Sequence, residues 1–305
     1  EYWLNLYNSY CITEAENATP KKSKVSELRT LYEKYPISEL KKKNWFPKTN
    51  DTAILKSYVK KYNLDNIPPK FAARTGNLPN RDELLRNTWV NIAEYGASSL
   101  KLKPYRKGGL AAIAKRLPKY TLESDGMEKI IDDLKNCGVG FFTLTHLPKT
   151  YLDGAVFAYE NNPIIVYTHR YDRTDNFWFT LAHEIAHVLL HYKNSTLCIL
   201  DNFDNKFETK IENEADELAK IILKNHELLN FMYEMKYKDI DLESKIDYCS
   251  KEIGICKSLI AGMYQFEFKS FYRNKILNNM KKKITDLLPK KHNLDERLIK
   301  EAELV

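Results

Sequence analysis

The stretch Phe177–His191, FWFTLAHEIAHVLLH, constrains the fold more than any other in this chain of 305 residues. It contains neither Gly nor Pro and is apolar on nearly every side, which predicts a helix covered all round rather than one lying on a surface. Asp172 or Thr174 is placed to cap its start. A helix of this kind needs other layers around it, so the rest of the chain must supply a sheet or more helices.

The sheet is written just upstream. Residues 81–136 carry helical spacing, but at Cys137 the period changes. Gly138–Leu147 (GVGFFTLTHL) is short, aromatic and β-branched, bounded by Gly138 and Pro148, and predicts a strand. Asp153-Gly154 signals a turn before a second strand at Ala155–Tyr159, and Asn161-Asn162-Pro163 another before a third at Ile164–Tyr167. Phe141, Phe142, Phe157 and Tyr159 are expected in the sheet core. After the long helix a further one starts near Thr209, where Thr209-x-x-Glu212 has the form of a capping box. Residues 1–65, punctuated beyond by Pro68-Pro69 and Thr75–Asn80, and residues 227–305 also read as helical. The sum is an α+β chain: a small antiparallel or mixed sheet beside one long buried helix, flanked by N- and C-terminal helical regions.

Composition removes alternatives without naming a function. No run of 18 apolar residues is present, so no helix is predicted to span a membrane. The first twenty residues lack the basic start and apolar stretch of a signal peptide. Five cysteines, Cys11, Cys137, Cys198, Cys249 and Cys256, form no disulfide framework and fit a reducing, cytoplasmic setting. In that setting the matches to the glycosylation pattern at Asn17 and Asn194 carry little. The net charge of +7, with Lys runs at 41–43, 281–283 and 290–291, fits solvated helix faces better than a nucleic-acid surface.

Chemistry concentrates in His183-Glu184-Ile185-Ala186-His187. Two histidines at i and i+4 share one helix face, about 6 Å apart along the axis, and both imidazoles can reach one ion. Imidazole suits Zn²⁺, and a Glu next to the first His can serve as general base for a water there. Three ionisable groups on so apolar a helix would be costly to bury without a shared task. A catalytic zinc site needs a third protein ligand. His191 lies about 12 Å along the axis from His183, too far to share one ion with it, and is expected in a supporting role. On the following helix, Ile211, Ala215, Leu218, Ile221 and Ile222 define an apolar face. On that wheel Asp216 points away, Glu212 and Glu217 fall at the edges, and Glu214 lies inside, which selects Glu214 with Glu217 as alternative. Arg170, His226 and several tyrosines remain open as donors to a reacting carbonyl.

His183–His191 followed by Glu212-Asn213-Glu214-Ala215-Asp216-Glu217-Leu218-Ala219 resembles the ImmA/IrrE family of zincin-like metallopeptidases. Gly138-Val139, Leu147–Thr150, Asp153–Ala155, Arg170–Asp172 and Phe177–Ala182 continue the likeness upstream, and Glu252–Cys256 with Ile260–Gly262 extends it downstream, over residues 126–270. Leu218 stands where the family often has Phe. The resemblance implies zinc held by His183, His187 and Glu214, with Glu184 as catalytic base. It also implies a protein substrate of regulatory kind, a repressor or antitoxin. Trp3–Tyr7 resembles the segment after the helix-turn-helix of HigA-like regulators fused to such peptidases. With Glu rather than Met at position 1, that likeness implies a DNA-binding module upstream, through which alone DNA would be bound.

The expected organisation is therefore an N-terminal helical linker region at 1–65, helices packing on the core at 66–136, a zincin-like catalytic domain at 137–235 and a C-terminal helical subdomain at 236–305. The oligomeric state stays open, a homodimer included. Two rival classes remain: a zinc-stabilised regulator or antitoxin module that binds a partner without cutting it, and a DNA binder using residues 250–264. Against the first stands Glu184, which a purely structural site has no need of. Against the second stands the apolar character of Ile253, Ile255, Leu259 and Ile260, which favours packing. Cys249 and Cys256 lack the spacing of a redox pair.

Overall fold

A computed structural model of the chain describes residues 22–66, 81–193, 198–200, 209–235, 239–268 and 275–305. Trp3–Tyr7, Cys11, Pro68-Pro69, Thr75–Asn80 and both glycosylation-pattern matches lie outside the described residues. No helix among the described residues is long and apolar enough to cross a membrane. The contacts divide the chain into two compact units, one of Glu1–Tyr95, Leu147–Lys149 and Asp295–Val305, the other of Gly96–His146 and Thr150–Leu294.

The first unit is helical: α1 (Lys22–Lys34), α2 (Ile37–Lys42), α3 (Thr52–Lys61), most of α4 (Arg81–Ala97), and the C-terminal helix Leu294–Glu303 from Asp295 on. Asp51 caps α3, its carboxylate accepting from the backbone N–H groups of Ala53 at 2.8 Å and Ile54 at 3.2 Å. Aromatic rings fill the interior, Phe46 lying 5.3 Å from Tyr58 and 5.8 Å from Tyr62. Trp45 is fully buried and satisfies its indole N–H on Asp295 at 2.9 Å.

The second unit holds α5 (Lys107–Leu122), α6 (Gly126–Asn136), β1 (Gly140–Thr143), β2 (Gly154–Tyr159), β3 (Asn162–Tyr167), α7 (Thr174–His191), β4 (Cys198–Leu200), α8 (Thr209–Ile222), α9 (Asn225–Met235), α10 (Leu242–Ile253), α11 (Lys257–Glu267) and α12 (Lys275–Asn279). Helix α6 buries Met127, Ile130, Ile131 and Leu134. It then stops at Gly138, whose φ of 85° lets Val139 N–H return to the Leu134 carbonyl at 2.9 Å and aims the chain into β1.

The four strands run in the order β1-β3-β2-β4, β1 parallel to β3 and the other pairs antiparallel. Strands β2 and β3 form a tight hairpin through Glu160 and Asn161, with Glu160 at φ 52°. Pro163 sits in β3 ahead of the β1 ladder, which opens at Gly140↔Ile164, so its missing N–H breaks no bond to β1. Phe141, Phe142 and Phe157 are buried as expected, while Tyr159 at the hairpin end is only partly so. Strand β4 was not foreseen in the sequence.

Helix α7 lies against β2 and β3 and is covered further by α5, α8 and α11. Thirteen of its eighteen residues are buried, which is the all-round covering the sequence predicts. Each of Phe177, Leu181 and Ile185 that leaves water contributes about 1.5–3 kcal/mol. Neither proposed cap operates. Arg173 is the extended residue before the helix and makes no side-chain cap, and Thr174 is already its first residue. The Asp172 carboxylate instead accepts from Thr285, the backbone N–H at 2.9 Å and the hydroxyl at 2.8 Å. Thr174 N–H finds the Lys282 carbonyl at 3.0 Å, so a distant loop replaces the local cap. Ile255, Leu259 and Ile260 are buried, the packing role expected for 250–264.

Candidate metal centre

Helix α7 turns His183 and His187 towards the same point, with their Nε2 atoms 2.8 Å apart and their rings at 82°. Helix α8 brings up a carboxylate, Glu212 Oε2, at 3.1 Å from His183 Nε2 and 3.3 Å from His187 Nε2. Donors held at zinc–ligand distances around a tetrahedral ion lie about 3.3 Å from one another. Two imidazole nitrogens and one carboxylate oxygen at this spacing thus fit one Zn²⁺, with a fourth position left for water or substrate. Two nitrogen lone pairs facing a carboxylate at such range repel unless a proton or cation sits among them, which points the same way.

The surroundings hold these groups in the right state. Burial pushes the His187 imidazole below its ordinary pKa, so the ring stays neutral with a lone pair to give. Burial alone would raise the Glu212 carboxyl, but the side-chain hydrogen bonds with the two imidazoles it faces outweigh that and hold the pKa down at about 2. On the far side of His183, Asp216 Oδ1 lies 2.8 Å from Nδ1. It accepts the Nδ1–H, which fixes the tautomer and leaves Nε2 free to face the other donors.

Glu184 is 1% exposed and lies under the start of β2. A Cβ at Gly154 would fall 2.1 Å from Glu184 Oε1 and 2.9 Å from Thr180 Cγ2, so only glycine lets the strand pass this close to the carboxylate. The Asp153-Gly154 pair, read in the sequence only as a turn, therefore also makes room for the acid.

The structure brings His183 and His187 together with Glu212, while Glu184 is buried one residue along against Gly154 and Glu214 lies apart from the set. Glu214 is half exposed, 3.8 Å from His191 Nε2 and 3.9 Å from Lys210 Nζ. The apolar face used to select it is not the inward one. Ala215, Ala219 and Ile222 are buried, whereas Ile211 and Ile221 are 39% and 62% exposed. The inward stripe is Glu212–Ala215–Ala219–Ile222, where two alanines allow α8 close to α7. Asp216, read as pointing away, lies beside it. Glu212 directs its carboxylate at the imidazoles. Glu217 pairs with Lys220 at 2.6 Å on the surface. His191 lies near His187, ring centres 5.6 Å apart and planes tilted by 48°, outside the donor set. His226 is exposed. The sequence signal that was passed over is Glu212-x-x-x-Asp216, two acids one turn apart and flanking an alanine stripe.

Residues 142–255 match the family model described as Peptidase_M78, IrrE N-terminal-like domain. No match to the chain was found among curated proteins or solved structures. The matched stretch contains all five side chains of the centre, from His183 to Asp216, and it is over residues 142–255 that the chain is similar to the Peptidase_M78 family of IrrE N-terminal-like domains.

Proposed function

We propose that the chain is a zinc-dependent peptidase that cuts a regulatory protein, of repressor or antitoxin kind, in the cytoplasm. The family supports metallopeptidase chemistry in general. The observation that carries the reading is the convergence of His183 Nε2, His187 Nε2 and Glu212 Oε2 within 4.8 Å, with a buried carboxylate one residue along from the first histidine. When bound there, zinc would supply a Lewis acid and lower the pKa of a water towards neutrality.

The protein's own residues do the rest. His183, His187 and Glu212 hold the ion, Asp216 orients His183, and Glu184 takes a proton from the attacking water on a carboxylate oxygen. The same oxygen returns it to the leaving amine nitrogen as the peptide bond breaks. A buried carboxylate close to the developing charge is suited to both transfers, since its own proton affinity is set by the protein and not by bulk water.

The test has two parts. Metal analysis of the full chain and of His187→Ala is expected to give one zinc per chain and none. Incubation with the product of an adjacent gene is expected to yield defined fragments, lost by roughly 10²–10⁴-fold in Glu184→Gln while zinc is retained. A chain that holds zinc, cuts nothing and is indifferent to Glu184→Gln would be a zinc-stabilised binding module instead.

A further inference from the structure

At the end of the sheet where β3 finishes and β2 begins, Arg170 is held on three sides. Its Nη1 donates to the Tyr151 carbonyl at 2.8 Å and to Asp153 Oδ1 at 3.3 Å. The rings of Tyr151 and Tyr171 lie 5.4 and 5.2 Å from its guanidinium carbon, which restricts the plane of the group. Its remaining edge, Nε and Nη2, meets no hydrogen-bond partner among the described residues. The side chain is 25% exposed, and Tyr151 and Tyr171 stand out beside it at 55% and 44%. Asp153 directly precedes Gly154, where an added Cβ would fall 2.1 Å from Glu184 Oε1. A pre-set guanidinium fork with one open edge thus stands one residue from the strand that covers the proposed base.

A planar N–H pair of this kind matches a carboxylate bidentately, and a neutral group in its place leaves charged donors unpaired. We propose that Arg170 is a specificity residue of the peptide cleft, taking a substrate carboxylate on its Nε–Nη2 edge; this rests on the peptidase reading above. The carboxylate has two sources, an Asp or Glu side chain near the scissile bond or the free C-terminus of the peptide.

The full chain carrying Glu184→Gln and loaded with zinc is immobilised and offered random heptapeptides in two pools, acid-terminated and amide-terminated, with retained peptides sequenced by mass spectrometry. With Arg170 present, carboxylate-bearing peptides are expected to be enriched about tenfold or more. Enrichment of Asp or Glu in both pools assigns the side chain; retention confined to the acid-terminated pool assigns the C-terminus. Arg170→Ala and Arg170→Gln, each checked for native circular dichroism, are expected to lose the selectivity. Acid and neutral peptides retained alike by the Arg170 protein, or selectivity unchanged in both variants, overturns the proposal. Cleavage of the retained peptides by the protein with Glu184 is read separately. Acid-selective retention without cleavage would sink the peptidase reading and leave the role of Arg170 standing.

Discussion

Helices α7 and α8 build the centre together, yet they carry their information differently. On α7 every neighbour of His183, Glu184 and His187 is apolar, so each ionisable group stands out and the helical spacing alone assigns a shared face. On α8 the acids Glu212, Glu214, Asp216 and Glu217 crowd into six positions, and two stripes of identical 3-4-3 spacing compete. One is Ile211, Glu214, Leu218, Ile221; the other is Glu212, Ala215, Ala219, Ile222. They differ by a shift of one residue, about 100° of rotation. Hydrophobicity favours the first and close packing takes the second. Branched side chains on α8 line an open groove with Leu190 of α7, while alanines mark where the two helices touch.

The largest effect separates the two stripes directly. Glu212→Gln is expected to abolish stoichiometric zinc and cleavage, because it removes a carboxylate that faces both imidazoles. Glu214→Gln, half exposed beside Lys210, is expected to keep both. Metal analysis of the purified pair decides it, and the reverse result would restore the Ile211 stripe as the inward one. A smaller effect is expected from Asp216→Asn, which keeps the shape but weakens the acceptor for His183 Nδ1–H. Zinc affinity should fall roughly 10–100-fold, measured by competition with a chelator. Affinity unchanged in Asp216→Asn would show that the Asp216 contact does not orient His183.

What was legible follows from how unambiguous each residue's surroundings were. The strand–strand–strand–helix order was readable because Gly138, Asp153-Gly154 and the Asn161 region punctuate short β-branched runs, and because α7 has no polar face to misplace. The cap of α7 was not readable: Asp172 is a good capping residue locally, but Thr285, 113 positions away, takes its carboxylate. Glu212 was missed for a related reason. Its spacing from Thr209 has the form of a local pattern, the capping box, while its carboxylate meets His183 and His187, and a sequence shows only the first. The role of Gly154 was half visible, since a turn glycine and one that clears space for a carboxylate look alike until Glu184 is seen against it.

The smallest expected effect tests the packing that underlies these differences without touching any acid. Ala219 is fully buried between helices, so Ala219→Leu must push α8 away from α7 or force strained rotamers, at a cost of about 1–3 kcal/mol. Ile221, 62% exposed, has little contact to lose, and Ile221→Ser should stay within about 0.5 kcal/mol. Urea midpoints of the full chain measure both, and zinc binding should suffer only in Ala219→Leu, since that substitution moves Glu212 relative to the imidazoles. If Ile221→Ser proved the costlier, the branched stripe would be the one that packs. Glu212 and Glu214 would then exchange places, because a rotation that buries Ile221 carries Glu214 towards α7.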